Sequence, residues 1–120
     1  HVTTGGSQAI RAALAAIKPD GIVGVGNVRS RHDAMSFGEL GVDYVLFGPL
    51  TGPADAAAAG LAQWWAETFE VPAVHSDPTA EPGMPGGTGA EFVALSDSLW
   101  QAADPAQALA AFERALREPA

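Results

Sequence analysis

Short β-branched runs alternate along this chain with longer alanine-rich stretches, and that change of hydrophobic period restricts the fold more than any other feature. The runs Gly21 to Val25, Asp43 to Phe47, Val71 to His75 and Glu91 to Leu95 are short and nearly continuously apolar. Strands covered on both faces read this way, as they do in parallel sheets. Between the runs, apolar residues recur at helical spacing. The order is that of successive βα units, and it predicts four parallel strands.

Local signals set the helices. Ile10, Leu14 and Ile17 fall at i, i+4, i+7, with Ser7 as N-cap and Pro19 as the stop. Ser30 caps a second helix with Asp33 three residues on, places Ala34, Phe37 and Gly41 on one face, and gives way at Gly41. Leu61, Trp64, Trp65 and Thr68 mark a third. Asp104-Pro105 opens the last helix, along which Leu109, Phe112 and Leu116 run at helical spacing toward Arg114 and Arg117. The stretch from Ser76 to Gly89 holds Pro78, Pro82, Pro85, Gly83, Gly86 and Gly87, so it reads as a long loop rather than a crossover helix.

Strand starts near 21, 43, 71 and 91 suit either a (β/α) barrel or an open doubly wound sheet. A closed eight-stranded barrel needs ~200 residues or more, so 120 residues hold about half of one. The sequence opens at His1 without a Met, and His1-Val2 runs into Gly5-Gly6 as though at the end of a strand. That start is expected of a fragment.

Charge narrows the partners. Six Lys+Arg against 14 Asp+Glu leave a net charge of -8, too few cations for the basic stripe that tracks a phosphate backbone, so nucleic acid is not an expected partner. No run approaches the ~18 apolar residues of a membrane span, and the start lacks the regions of a signal peptide. There is no cysteine, which excludes disulfide scaffolds and cysteine-ligated metal centres and favours the cytoplasm.

In either architecture ligands bind beyond the C-terminal ends of the strands. The clusters there are Gly26-Asn27-Val28-Arg29, Gly48 to Pro53, His75-Ser76-Asp77 and Ser96-Asp97-Ser98. Ser96 and Ser98 precede a short helical turn whose free N–H groups suit a phosphate. Gly48 and Thr51 belong to a stiff loop able to approach a ligand closely, and His75 is a candidate general acid or base. Asp55, Asp77, Glu81 and Asp97 are scattered without ligand spacing, so no metal site is read from the residues themselves.

The tract Asp43-Tyr44-Val45-Leu46-Phe47-Gly48-Pro49, within the run from 21 to 50, resembles the thiamine phosphate synthase and thiazole tautomerase family. His1-Val2 is similar to that family's His-Leu at the end of strand four, and Val71 to Val74 to its Ile-Pro-Val strand. Gly89 to Ser96 is similar to its last strand. The resemblance implies a (β/α)8 TIM barrel of which this chain is the second half, from strand four or five to strand eight. It requires the missing half or an oligomeric partner. It implies an enzyme of thiamine biosynthesis that joins hydroxymethylpyrimidine diphosphate to thiazole phosphate, with Mg²⁺ stabilising the leaving diphosphate.

By the same resemblance Ser96 is the strand-eight phosphate contact, with Ser98, Asn27, Gly48 and Thr51 around it. Arg29 stands where the tautomerase branch carries a catalytic His. The chain departs from the family at Thr4 and Gly6, where Gln and a metal-binding Asp are expected, and at Thr51 to Asp55, where the loop lysine is absent. These departures imply weak or lost activity. The alternatives are a non-catalytic phosphate-ligand-binding or regulatory relative and a tautomerase-like protein.

Overall fold

The computed structural model describes residues 1–80 and 89–117. Its order is α1 (Gly6–Ile17), β1 (Gly24–Val25), α2 (Arg31–Gly38), β2 (Tyr44–Phe47), α3 (Ala58–Thr68), β3 (Ala73–Ser76), β4 (Phe92–Ala94), α4 (Asp97–Trp100) and α5 (Pro105–Arg117). The four strands are parallel and lie in chain order, β1-β2-β3-β4. Each falls inside a predicted apolar run or one residue beyond it. The expected strand end at the start is present as a single parallel bridge, in which Val2 donates to Gly24 and accepts from Gly26.

Register separates the two faces of the sheet. Val25, Val45, Phe47 and Ala73 pack with Ile10 of α1, Ala34 of α2, and Ala58, Ala62 and Trp65 of α3 in one core. Side chains alternate along a strand, so Tyr44, Leu46, Val74 and Phe92 belong to the opposite face. Phe92 on that face is 59% exposed. The order of the described strands never reverses, and helices α1 to α3 share one face. Among the described strands there is thus no switch point of the doubly wound kind.

The caps agree with the sequence at two helices. Ser30 Oγ accepts from the Asp33 N–H at 3.1 Å, and Asp104 Oδ1 accepts from the Gln107 N–H at 3.2 Å. At α1 the expectation is corrected: the cap is Gly5 in the left-handed region, and Ser7 lies inside the first turn. The helix ends at Ile17 because Lys18, preceding Pro19, turns extended. α2 stops at Gly38, three residues before Gly41, which takes a left-handed turn instead.

In α5 only Ala108 and Phe112 are buried, against Leu99, while Leu109 and Leu116 are exposed. The described part of the molecule covers just one stripe of that helix. Most of the expected proline- and glycine-rich loop falls in residues 81–88, outside the described residues. No described helix is long and apolar enough to cross a membrane.

Carboxylates close the N-terminal end of the sheet. Asp43, just before β2, accepts from the Val23 N–H at 2.9 Å and from Lys18 Nζ at 2.7 Å. Glu91, just before β4, accepts from the Ala73 N–H at 2.8 Å. The Lys18 hydrogen bond, followed by that of Val23, holds the Asp43 carboxyl below its ordinary value.

A group depressed in this way binds fewer protons folded than unfolded. Its stabilisation is present above its unfolded pKa, near pH 4, and is lost as pH falls through the folded value. Asp43→Asn is expected to flatten the fall in unfolding temperature below about pH 4. An unaltered acid slope would show that the clamp contributes nothing.

Candidate functional site at the C-terminal strand ends

A cleft of about 730 Å³ opens beyond β1 and β2. Asn27 and Arg29 line it from the β1–α2 connection, Gly48 to Thr51 and Pro53 to Ala56 from the β2–α3 connection, and His1, Thr3 and Thr4 from the opening segment. Leu46 lies in its floor, from the sheet face that carries no helix. Four candidates from the sequence, Asn27, Arg29, Gly48 and Thr51, are thus brought together.

The β2–α3 connection is fixed by contacts with β3. Gly48 has φ of 99° and packs so tightly on the Ser76 carbonyl that a Cβ there would overlap it. Ser76, 1% exposed, donates its hydroxyl to the Pro49 carbonyl at 2.6 Å. The missing side chain of Gly48 therefore serves packing against β3 rather than approach to a ligand. The Ser76 hydroxyl is likewise committed to the loop.

Two glycines on the helix-free face of β1 make room for rings. A Cβ on Gly24 would overlap the Tyr44 ring, and one on Gly26 the His1 ring. His1 and Tyr44 stack with centroids 5.6 Å apart, and His1 Nδ1 lies 2.6 Å from the Tyr44 hydroxyl. Burial pushes the Tyr44 phenol above its ordinary value. The sequence reading missed His1 and Tyr44 as a pair. Their signal was the G-x-G spacing opposite an aromatic residue.

His75, Ser96 and Ser98 do not line this cleft. His75 pairs in register with Phe47, which places it on the helix-covered face, away from the cleft. Burial lowers its pKa, partly opposed by the Asp77 charge. Asp77 Oδ1 accepts from both the backbone and the hydroxyl of Thr79, at 2.9 and 2.6 Å, and so closes a local turn.

Ser96 sits at the end of β4, just before α4, and its buried hydroxyl has no hydrogen-bond partner among the described residues. The Ser98 N–H, expected to be free for an anion, donates to the Pro78 carbonyl at 3.2 Å. The turn after β3 therefore closes part of that helix start. Sequence spacing could not foresee this contact.

Among the described residues no three His, Asp or Glu side chains are grouped to hold a metal ion. The carboxylate of the cleft, Asp55, already accepts from the Ala57 N–H at 2.9 Å. Mg²⁺ is held by one or two carboxylates together with substrate phosphates, and of the residues lining the cleft Asp55 is the one that would supply a carboxylate.

Parallel βα units with a cleft at the C-terminal strand ends define a protein of the α/β class. The chain is 39% identical to the thiamine-phosphate synthase of Rhodospirillum centenum over 115 residues, covering 89% of this chain and 56% of the relative. It is 36% identical to that of Hyphomonas neptunium over 111 residues, 86% of this chain and 50% of the relative. The match to that of Erythrobacter litoralis is 35% over 93 residues, 65% and 41%. No family model matches the chain. By these relatives the chain belongs to the thiamine-phosphate synthase family, and it spans about half the length of the curated relatives it matches.

Proposed function

We propose that the protein is a transferase of thiamine biosynthesis, of the cytoplasm, that joins hydroxymethylpyrimidine diphosphate to thiazole phosphate. The observation that carries this reading is the identity to three thiamine-phosphate synthases. The chain supplies the second half of a (β/α)8 barrel as a single domain. The unreversed strand order, the helices on one face and the exposed Phe92 on the other support that assignment. The remaining βα units come from a further segment or a partner chain, which covers Phe92 and the free stripe of α5.

In this reading the unpartnered Ser96 hydroxyl takes a phosphate oxygen, assisted by Ser98, while Thr51 contacts substrate in the cleft. As the new C–N bond forms, the bond to diphosphate breaks and negative charge grows on the leaving group. Donors positioned for that charge lower the barrier, each by roughly 3 kcal/mol. A loop that reads Thr51-Gly52-Pro53-Ala54-Asp55 carries no lysine for this purpose. Turnover is therefore expected to be about a hundredfold or more below that of a family synthase with the lysine.

The test is to incubate the natural full-length protein with both phosphorylated precursors and Mg²⁺ and to assay thiamine phosphate. Slow product formation, reduced further by Ser96→Ala, supports the synthase reading. No product, combined with a thermal shift on adding thiazole phosphate, would replace it with the non-catalytic relative. Neither product nor shift rejects both.

A further inference from the structure

Asn27 and Arg29 form a unit that the proposed chemistry leaves unused. Asn27 holds a left-handed backbone, φ 56°, unusual for a residue with a side chain. Its carboxamide joins two segments: Nδ2 donates to the Thr3 carbonyl at 3.4 Å, and Oδ1 accepts from Arg29 Nε at 3.0 Å. Both ends of the group expected to touch a phosphate are therefore engaged within the protein. What they hold in place is a guanidinium that lines the cleft.

A guanidinium carries five N–H donors, and the bond to Asn27 uses one of them. Among the described residues Arg29 makes no ion pair, whereas Lys18 pairs with Asp43, Arg117 with Glu113, and Arg31 lies over the Trp64 ring at 4.8 Å. Its terminal amino groups retain the planar fork that matches two oxygens of one oxyanion. Thr3, Thr4 and Thr51 add neutral hydroxyls around the same space. The other ionisable lining groups are His1, engaged by Tyr44, and Asp55 from the β2–α3 connection. The Asp55 charge repels an anion from that side and favours the β1 side.

We propose that Arg29 is the oxyanion-recognising residue of the cleft, gripping a phosphoryl group of a small ligand through its terminal amino groups, with Asn27 as the residue that positions it. The assignment rests on the geometry of the cleft, so it stands or falls apart from the synthase reading.

Calorimetric titration of inorganic pyrophosphate into the natural full-length protein tests it. Arg29→Gln is expected to weaken binding tenfold or more with the unfolding temperature unchanged. Arg29→Lys falls between, because it keeps the charge and loses the fork. Asn27→Gly suits the backbone, removes the carboxamide and is expected to weaken binding several-fold. In that variant the Arg29 Nε–H is expected to exchange with solvent faster than in the parent.

Parent protein that fails to bind pyrophosphate, or Arg29→Gln that binds like the parent, overturns the proposal. Malonate bound as well as pyrophosphate overturns the choice of phosphoryl over carboxylate. An Arg29 effect that persists in protein without synthase turnover would reject the synthase reading and uphold this one.

Discussion

Trp65→Ala is expected to remove about 3–5 kcal/mol of folding stability, measured as a lowered urea midpoint with an unchanged slope. Trp65 is almost fully buried in α3 and touches several parts of the molecule. Its ring stacks on Phe69 at 4.1 Å between centroids and tilts against Phe47 of β2 at 6.3 Å. Its indole N–H donates to the Val71 carbonyl at 2.7 Å, tying the end of α3 to the start of β3. Gly38 of α2 lies so close to the ring that a Cβ would overlap it, so α2 packs directly on this side chain.

Truncation leaves a cavity and an unsatisfied carbonyl together. A domain stabilised by about 5–15 kcal/mol could lose most of its margin. Trp65→Phe keeps much of the volume and should cost less. A loss under about 1 kcal/mol for the alanine variant would mean that the core collapses around the gap.

Gly48→Ala is expected to cost about 2–4 kcal/mol, a large effect for one added methyl group. Two terms combine. A residue with a Cβ is strained at φ 99°, and here the Cβ would meet the backbone oxygen of Ser76, which cannot rotate aside. Relief requires the β2–α3 connection to lift from β3, which also moves Thr51 at the cleft wall. Ser76→Ala probes the same seam from the other side, leaving the Pro49 carbonyl without its partner at about 1–3 kcal/mol. If Gly48→Ala unfolds within about 0.5 kcal/mol of the parent, the loop is not held in this way.

The strands were legible because buried parallel strands leave a compact signature, a short apolar run between turn residues. The caps at Ser30 and Asp104 were legible for a similar reason, since a capping oxygen and its N–H lie within three residues of each other. α1 was misjudged at Ser7 because a left-handed glycine can begin a helix without any side-chain oxygen. Leu109 and Leu116 have the right spacing for a core and lie exposed, since periodicity reports which stripe of a helix is apolar and not what covers it.

Site residues divided by distance along the chain. Neighbours of the strand ends, Asn27, Arg29, Gly48 and Thr51, were readable from topology alone. The engagement of Ser98 by Pro78, of Ser76 by Pro49, and of His1 by Tyr44 joins residues 20 to 43 positions apart and has no local trace. His75, also at a strand end, takes the face away from the cleft, which a strand-end position alone does not reveal.

The carboxylates at the base of the sheet make the chain's modules interdependent in one direction. Val23, just ahead of β1, finds its acceptor on Asp43, and the first amide of β3 finds its own on Glu91. In both cases the acceptor is encoded in the following strand segment, so a strand is finished by its successor. A ribosome releasing this sequence would leave Val23 unsatisfied until Asp43 emerged, and a break placed just before Asp43 would damage the unit on both sides of the cut. Divisions or recombinations of such modules should therefore keep each acidic residue in one piece with the amide it receives, Asp43 with Val23 and Glu91 with Ala73.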